Sequence, residues 1–294
     1  MRNFLSALLF YSFTFFGILS ILIAISFYQN SQLKTPLGTK TLIFGDSHTQ
    51  TSLNDGLMQN ALNLSKSSEH LFFTKEMIKT ILGNNSEVKT IIVGVSFHSF
   101  CANYDQVLVG KDANYFFSRY IHFYNMESLF TIAKRNCKVL TQVFRVLISK
   151  VFVFAKNQEN VFKSGYYASK RSNLGDSATY AAISRHYLQP NNTLSELSNK
   201  QVHHFQEIVR LCKAKNVKLI VVNTPVHTTY RKKIPPKFVD HFYKVMLENA
   251  INFEFFDLHA LKYKNECFGD GDHLNALGAT LFTQEINKKI EKKL

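Results

Sequence analysis

The sequence contains no tryptophan, only five prolines and only four cysteines among its 294 residues. The cysteines are Cys101, Cys137, Cys212 and Cys267, and no two of them form a CxxC pair, so a metal site held by thiolates is not expected. Two states of the thiols stay open: buried free thiols, or disulfides in one of three complete pairings if the compartment is oxidising. We expect no metal ion and no organic cofactor.

Acidic residues are also scarce, since 21 Asp and Glu stand against 35 Lys and Arg and leave a formal net charge of +14. This balance favours an anionic partner: lipid headgroups, an acidic polysaccharide or nucleic acid. The sequence has no zinc-finger spacing, no RNP-like aromatic motif and no long arginine-rich run. Nucleic acid is therefore the least favoured of the three, and we expect no nucleic-acid partner.

One long apolar run opens the chain. Residues 4–28 carry no charged side chain, and about 20 such residues form a helix that crosses a hydrocarbon core. We interpret residues 1–30 as a single transmembrane anchor in the lipid bilayer and residues 31–40 as a linker. A cleaved signal peptide is the alternative, but the run exceeds the ordinary length of a signal's hydrophobic region. Basic residues flank both ends of the run, so they do not fix its orientation.

Beyond residue 40, apolar strand patterns alternate with helix patterns. We predict strands at 41–44, 60–64, 88–95, 217–222 and 253–256, and helices at 48–60, 68–82, 194–215, 235–249 and 276–293. Thr193 is the predicted N-cap of the third of these helices. Strands that are apolar throughout and alternate with helices indicate an α/β fold, with a central parallel sheet covered on both faces. In such sheets, sites form at the carboxyl ends of the strands.

Residues 100–190 interrupt this alternation. The stretch 126–156 has the pattern of one or two helices, and between residues 111 and 171 lysine and arginine far outnumber Asp112, Glu127 and Glu159. We interpret the segment as a basic, mostly helical insert within a domain spanning residues 41–294. Such a surface suits anionic headgroups or an acidic glycan, and equally a solvated helix face packed on the domain.

A short polar motif, Gly45-Asp46-Ser47-His48, follows the first predicted strand directly. Open α/β sheets present functional side chains at this edge, so Ser47 is a candidate nucleophile. A serine hydroxyl is a poor nucleophile unless a base lies nearby. On its own, the motif also suits an ordinary polar turn.

A second motif lies just before the last predicted helix, where Asp270 precedes His273 by three residues. A carboxylate at this spacing can hold one ring nitrogen of the histidine, which leaves the other nitrogen to take the proton from Ser47. Asp272 is an alternative partner for the ring, although adjacent side chains usually point apart. The same residues also suit a loop that caps a helix.

Together, in this order and at these positions, the two motifs resemble those of the SGNH/GDSL hydrolase superfamily. The run Asp270-x-x-His273-Leu-Asn275-x-x-Gly278-Ala279 is similar to the signature of SGNH-like proteins of bacterial cell envelopes. Among these are the teichoic-acid D-alanylation protein and proteins encoded with polysaccharide acylation systems. The resemblance covers about residues 40–100 and 190–294. It implies a three-layer SGNH-like sandwich, and a domain held on the periplasmic or extracytoplasmic side by one membrane helix.

The sequence departs from the superfamily at the oxyanion hole, where a Gly and an Asn are named as donors besides the N–H of the nucleophile. The block that should hold the Gly has none, which leaves the backbone N–H of Ser65 or Ser67. Ser96 stands where the Asn should be, with His98 close by. His227 follows a predicted strand and is a further candidate for the cleft, or an exposed loop residue. Loss of one oxyanion donor typically costs about 100- to 1000-fold in rate.

Three functions follow as expectations from this resemblance. The first is a serine esterase or O-acyltransferase acting on acyl esters, principally acetyl esters, of cell-envelope or extracellular polysaccharide. In it Ser47 attacks, His273 acts as base and then acid, and Asp270 orients the ring. The second is an SGNH-like protein of weak or no activity that binds a glycan. The third is an interaction protein whose anchor partners a multispanning acyltransferase.

Overall fold

The computed structural model describes residues 2–109, 112–136, 147–148, 161–170 and 173–292. The chain forms two compact units. One comprises Met1–Lys34 with Val107–Val161, and the other comprises Thr35–Gln106 with Phe162–Leu294. Every residue of the two sequence motifs belongs to the second unit.

The first unit begins with a long helix, α1, at Arg2–Ser31. Large apolar side chains such as Phe4, Leu9 and Phe13 are exposed along it. Residues Asn3–Ser31 are long and apolar enough to cross a membrane, a property that a signal sequence near the N-terminus shares. Near its end the helix turns polar, and Asn30 Nδ2 donates to the carbonyl of Tyr124 at 2.8 Å. The unit also contains α4 at Ala113–Arg119 and α5 at Met126–Arg135.

The second unit is built on a sheet of five parallel strands in the order β2-β1-β3-β4-β5. The strands are β1 Thr41–Phe44, β2 Ala61–Asn63, β3 Thr90–Gly94, β4 Lys218–Asn223 and β5 Glu254–Asp257. Each lies within the predicted stretch or one residue beyond it. The fold is therefore α/β with a central parallel sheet, as predicted, and all five carboxyl ends lie along one edge.

Helices surround this sheet. They are α2 Ser47–Ser52, α3 Leu71–Asn84, α6 Asp176–Tyr187, α7 Asn199–Ala214, α8 Thr228–Arg231, α9 Pro236–Asn249 and α10 Ala276–Glu291. Helices α3 and α7 pack against each other, and α10 packs against α2. Apolar side chains of β1, β3 and β4 meet the inner face of α10 in one core cluster, in which Ile43, Ile92, Ile220 and Phe282 are fully buried. Burial of the strands on both faces explains their continuous apolar sequence.

Helix α7 starts later than predicted, so Thr193 is not its N-cap. The helix begins at Asn199, and the Ser198 hydroxyl accepts the Gln201 N–H at 3.0 Å. Thr193 instead donates its hydroxyl to Asn191 at 2.7 Å, in a turn closed by the bridge between Leu188 and Leu194. These contacts hold Thr193 in a turn that lies before the helix.

Helix α2 is also shorter than predicted, because it ends at Ser52 and the Asn54 side chain then starts a separate 3₁₀ turn. Of the helical pattern predicted at 126–156, the structure describes α5 and residues 147–148, and the rest lies outside the described residues.

Three of the four cysteines, Cys101, Cys212 and Cys267, are buried free thiols. Cys137 lies outside the described residues.

Candidate active site

Ser47 lies where β1 passes into α2. Asp46 is the N-cap of this helix, and its Oδ1 accepts the His48 N–H at 2.9 Å, so Ser47 is the first helical residue. The chain leaves β1 towards β2 on one side, and later returns to form β3 on the other. The carboxyl ends of β1 and β3 thus flank a crevice, which is where α/β sheets of this order bind ligands.

Two glycines let α2 approach the sheet this closely. A Cβ on Gly94, the last residue of β3, would collide with the Thr49 hydroxyl and Cβ. A Cβ on Gly45 would collide with the same side chain, and Gly45 also has φ +152°, a conformation that side chains rarely adopt. The two glycines therefore fix the position of Ser47 through the packing of Thr49.

The structure brings Ser47, His273 and Asp270 together in one hydrogen-bonded relay. Ser47 Oγ lies 2.8 Å from His273 Nε2. On the other side of the ring, His273 Nδ1 lies 2.9 Å from Asp270 Oδ1. These are hydrogen-bond distances at both ring nitrogens, in the order that a serine, a base and an orienting carboxylate require.

Asp270 is held in place by the loop that it helps to close. Its Oδ1 accepts the backbone N–H of Asp272 at 3.0 Å and that of His273 at 2.9 Å. The carboxylate is thus fixed by bonds to the backbone as well as to the ring. A fixed orienting group keeps the imidazole in one tautomer, with Nε2 facing the hydroxyl.

The rest of the second motif anchors this loop to α10. Asn275 is the N-cap of α10, where its Oδ1 accepts the N–H of Leu277 at 3.0 Å and of Gly278 at 3.1 Å. Its Nδ2 donates to the Glu266 carbonyl at 2.7 Å. A Cβ on Gly278 would collide with the carbonyl of Cys267. The motif positions after His273 therefore have structural roles that hold the histidine near Ser47.

Burial and charge act on His273 in opposite directions. Burial alone lowers the pKa of the imidazole, but the hydrogen bond to Asp270 and the charges of Asp272, Asp270 and Asp46 outweigh it. The pKa of His273 therefore lies above its ordinary value of 6.5. This environment stabilises the imidazolium that forms when the ring takes a proton from Ser47.

Asp272, the alternative partner of the ring, has another set of contacts. Its Oδ1 lies 3.6 Å from His273 Nδ1, beyond hydrogen-bond distance. Its Oδ2 accepts from Arg185 NH2 at 2.9 Å and lies 3.2 Å from His48 Nε2. Asp270 is therefore the carboxylate that holds the His273 ring, and Asp272 holds Arg185 and His48 instead. Burial acts to raise the pKa of Asp272, but the bond to His48 and the neighbouring histidines leave it well below its usual range.

An open cleft of about 340 Å³ leads to the relay. Each lining residue carries at least one polar side-chain atom. The lining comprises Ser47, Thr51, Ser67, Ser68, Tyr167, Ser169, Arg185, Asp270 and His273. The Arg185 side chain is 55% exposed there although it is tied to the buried Asp272. Sequence reasoning missed Arg185, because α6 lies in the stretch where the strand–helix alternation breaks down.

The predicted oxyanion donor at Ser65 is already engaged. The Ser65 N–H donates to Asn63 Oδ1 at 2.8 Å, and Ser65 is fully buried. This N–H is therefore not available to a substrate oxygen. Ser96, which stands where the superfamily has its Asn, lies at the start of a 3₁₀ turn, where its N–H donates to Ser99 Oγ at 3.0 Å. Ser67, the other residue of the second block, does line the cleft.

His98 and His227 also have contacts of their own. His98 Nε2 lies 2.7 Å from Asp46 Oδ2, which holds the N-cap residue of α2. His227 Nε2 lies 3.0 Å from Asn265 Oδ1, and its ring packs on Phe268. The structure places His98 against Asp46, the residue before Ser47. It places His227 in a loop contact, and the residues lining the cleft at Ser47 do not include it.

Comparisons with known proteins give matches among solved structures. No protein-family model and no curated protein matches the chain. A proposed acylhydrolase from Bacteroides fragilis NCTC 9343 is similar at 12% identity and a TM-score of 0.45, over 90% of this chain and 94% of that one. A GDSL-like lipase from Bacteroides thetaiotaomicron VPI-5482 is similar at 11% identity and a TM-score of 0.45, over 92% of this chain and 98% of that one. A proposed platelet activating factor from Streptococcus pneumoniae is similar at 11% identity and a TM-score of 0.44, over 97% of this chain and 98% of that one.

Proposed function

We propose that this chain is a membrane-anchored serine hydrolase of the SGNH/GDSL type, which cleaves an ester through an acyl-enzyme on Ser47. The observation that supports this is the relay itself. Ser47 Oγ lies 2.8 Å from His273 Nε2, and His273 Nδ1 lies 2.9 Å from Asp270 Oδ1. A serine, a base and an orienting carboxylate at these distances form the minimum set for acyl transfer.

In the first half-reaction, Ser47 Oγ bonds to the ester carbonyl carbon while His273 Nε2 takes the hydroxyl proton. The tetrahedral intermediate then collapses, the bond to the leaving alcohol breaks, and the alcohol leaves with the proton from His273. In the second half-reaction, water or a sugar hydroxyl gives its proton to His273 and attacks the acyl-enzyme. Ser47 regains its proton as it leaves. Hydrolysis and transfer share all steps up to the final acceptor.

The oxyanion of the intermediate requires donors, and we assign this role to two groups on the cleft side of the site. One is the Ser47 backbone N–H, which begins α2 and has no acceptor among the described residues. The other is the Arg185 guanidinium, which lines the cleft and is held by Asp272. A cation and a helix N-terminal N–H both stabilise a developing alkoxide.

For the substrate, we propose an acyl ester, principally an acetyl ester, of a cell-envelope or extracellular polysaccharide. The cleft is wide and open, and its serine, threonine and tyrosine hydroxyls suit a sugar better than an acyl chain of many carbons. The motif from Asp270 to Ala279 resembles that of cell-envelope SGNH-like proteins. A hydrolase held at the membrane by α1 would meet such a polymer outside the cytoplasm.

The direct test is ester turnover by the full chain in detergent. Acetyl release from an acetylated sugar polymer should fall to the uncatalysed level in Ser47→Ala. The matched control is Ser86→Ala, which removes an exposed hydroxyl beyond α3 and should leave the rate unchanged. Equal turnover in wild type and Ser47→Ala would refute the nucleophile assignment.

A second function, glycan binding with weak or no catalysis, is favoured by one observation. The Ser65 N–H, predicted as an oxyanion donor, is bonded within the protein. Under this proposal the wild-type chain retains the polymer in a pull-down assay, but shows no acetyl release above background. Turnover that depends on Ser47 excludes it.

A further inference from the structure

Three buried histidines lie directly behind the relay. His48, His98 and His186 expose 1%, 2% and 4% of their surface, and they come from α2, the turn after β3, and α6. The ring centroid of His48 lies 4.7 Å from that of His98 and 5.3 Å from that of His186, and the centroids of His98 and His186 lie 4.0 Å apart. One ring nitrogen of each lies within 4.8 Å of those of the other two.

One nitrogen of each ring is held by a partner outside the trio. His48 Nε2 lies 3.2 Å from Asp272 Oδ2, and His98 Nε2 lies 2.7 Å from Asp46 Oδ2. His186 Nδ1 lies 2.6 Å from the Tyr230 hydroxyl. Histidines that bind metals use their second nitrogen in this way, most often towards a carboxylate.

The other nitrogens have no such partner. His48 Nδ1 and His98 Nδ1 are fully buried and have no hydrogen-bond partner among the described residues. His186 Nε2 lies 3.8 Å from Asp272 Oδ2, too far for a hydrogen bond. Burying a polar atom without a partner costs free energy of about 1–3 kcal/mol, so Nδ1 of His48 and Nδ1 of His98 call for a ligand.

The surrounding charge favours a cation. Asp46 and Asp272 place two carboxylates against the trio, and the side chain of Asp272 is 2% exposed. Among the described residues, Arg185 is the one Lys or Arg that forms an ion pair with either carboxylate. A divalent ion would balance buried negative charge that is otherwise costly.

We propose that His48, His98 and His186 form a binding site for a divalent first-row transition metal, with zinc as the probe. Imidazole nitrogen is a preferred ligand of such ions, and three neutral histidines form a known zinc set with one position left for another ligand. The neutral imidazole is the form that binds such an ion.

Binding requires a defined rearrangement. Zinc–nitrogen bonds of about 2.0–2.1 Å in a tetrahedral site place ligand nitrogens about 3.4 Å apart. The rings of His98 and His186 are stacked at an interplanar angle of 12°, and a lone pair lies in the plane of its ring. Both rings must therefore turn so that their planes meet at the ion. Because His48 follows Ser47 and His98 holds Asp46, the bound ion would fix the backbone that presents the nucleophile.

The test uses the full chain in detergent, without a polyhistidine tag, stripped by a chelator, reloaded with zinc and desalted. Elemental analysis should find close to one zinc per chain, and cobalt substituted for zinc should give the visible absorption bands of a tetrahedral site. His48→Gln and His98→Gln should lose the metal, whereas His203→Gln on the exposed face of α7 should keep it. A wild-type chain that retains no zinc, or equal zinc in all variants, overturns the proposal.

Tyr230→Phe provides a second variant that leaves all three histidines in place. It removes the hydroxyl that bonds His186 Nδ1, and loss of such an outer bond weakens metal affinity about 10- to 100-fold. Zinc titration should show this loss, and an unchanged Kd contradicts the arrangement. Ser47→Ala should keep its zinc while losing ester turnover, so failure of the metal site and failure of the proposed function are distinguishable.

Discussion

Arg185 has no feature in the sequence that predicts a place at the site, yet in the structure its side chain lines the cleft beside Ser47. It lies 87 positions before its partner Asp272, on a helix that no motif marks. Ser47 and His273 are identifiable as candidates because each belongs to a short motif beside a strong strand or helix pattern. Arg185 and the histidine cluster depend instead on contacts between distant elements, which residue spacing does not reveal.

Removing the guanidinium should lower kcat more than it raises KM. Arg185→Gln removes a cation facing the cleft, and loss of one oxyanion donor costs about 100- to 1000-fold in kcat. Arg185→Lys keeps the charge and should recover part of the rate. The control is Arg210→Gln, which removes an exposed arginine of α7. A kcat equal to that of wild type in Arg185→Gln would show that Arg185 is not an oxyanion donor.

Two glycines with different surroundings give a matched pair of variants. Gly94→Ala places a methyl group against Thr49, and overpacking of this kind costs about 1–3 kcal/mol in the free energy of unfolding. Gly83→Ala lies on α3 with no atom within 4 Å of the new Cβ. It should stabilise the chain by about 0.5–1 kcal/mol. Thermal unfolding of both variants measures the difference, and equal stabilities would contradict the close approach of α2 to β3.

At the scale of elements, the strands were predictable to within a residue or two, because both of their faces are buried and their sequences are continuously apolar. The start of α7 was not, because Ser198 and Thr193 both suit an N-cap. The choice between them depends on pairing with remote residues: Cys101 forms a bridge with Leu197, and the Phe100 carbonyl accepts the Ser198 N–H at 2.8 Å.

Asp257, at the end of β5, stabilises the folded chain to an extent that depends on pH. Asp257 accepts hydrogen bonds from Tyr243 at 2.7 Å, His259 at 2.8 Å and Asn223 at 3.1 Å. Burial acts to raise the pKa of Asp257, but these bonds outweigh burial and leave it below the ordinary value of 3.8. The pKa is thus lower in the folded than in the unfolded chain. The carboxylate therefore stabilises the fold fully above about pH 5 and loses this effect as the pH falls below 4.

Asp257→Asn should accordingly lower the free energy of unfolding by about 1–2 kcal/mol at neutral pH. The deficit relative to wild type should shrink as the pH is lowered through 4, when measured by denaturant unfolding at each pH. Asp240→Asn on the exposed face of α9 is the control and should show no such trend. A deficit that stays constant from pH 7 to pH 3 would show that the ionised carboxylate is not the stabilising form.

At the scale of the whole molecule, we expect α1 to decide the compartment of the chain. Because its apolar side chains are exposed along its length, we expect the expressed chain to stay in the membrane pellet after a carbonate wash. N-terminal sequencing should then begin at Met1 or Arg2, which separates an uncleaved anchor from a signal sequence. A chain released by carbonate, or one that begins near residue 27, would contradict the anchor.

Activation of Ser47 by His273 is tested most directly by labelling the full chain with a serine-directed fluorophosphonate. The measurement is the mass of the labelled chain, with the labelled peptide identified. We predict one adduct on Ser47 in the wild type, a strong reduction in His273→Ala, and normal labelling in His203→Ala. No adduct on Ser47, or labelling that does not depend on His273, would contradict the account.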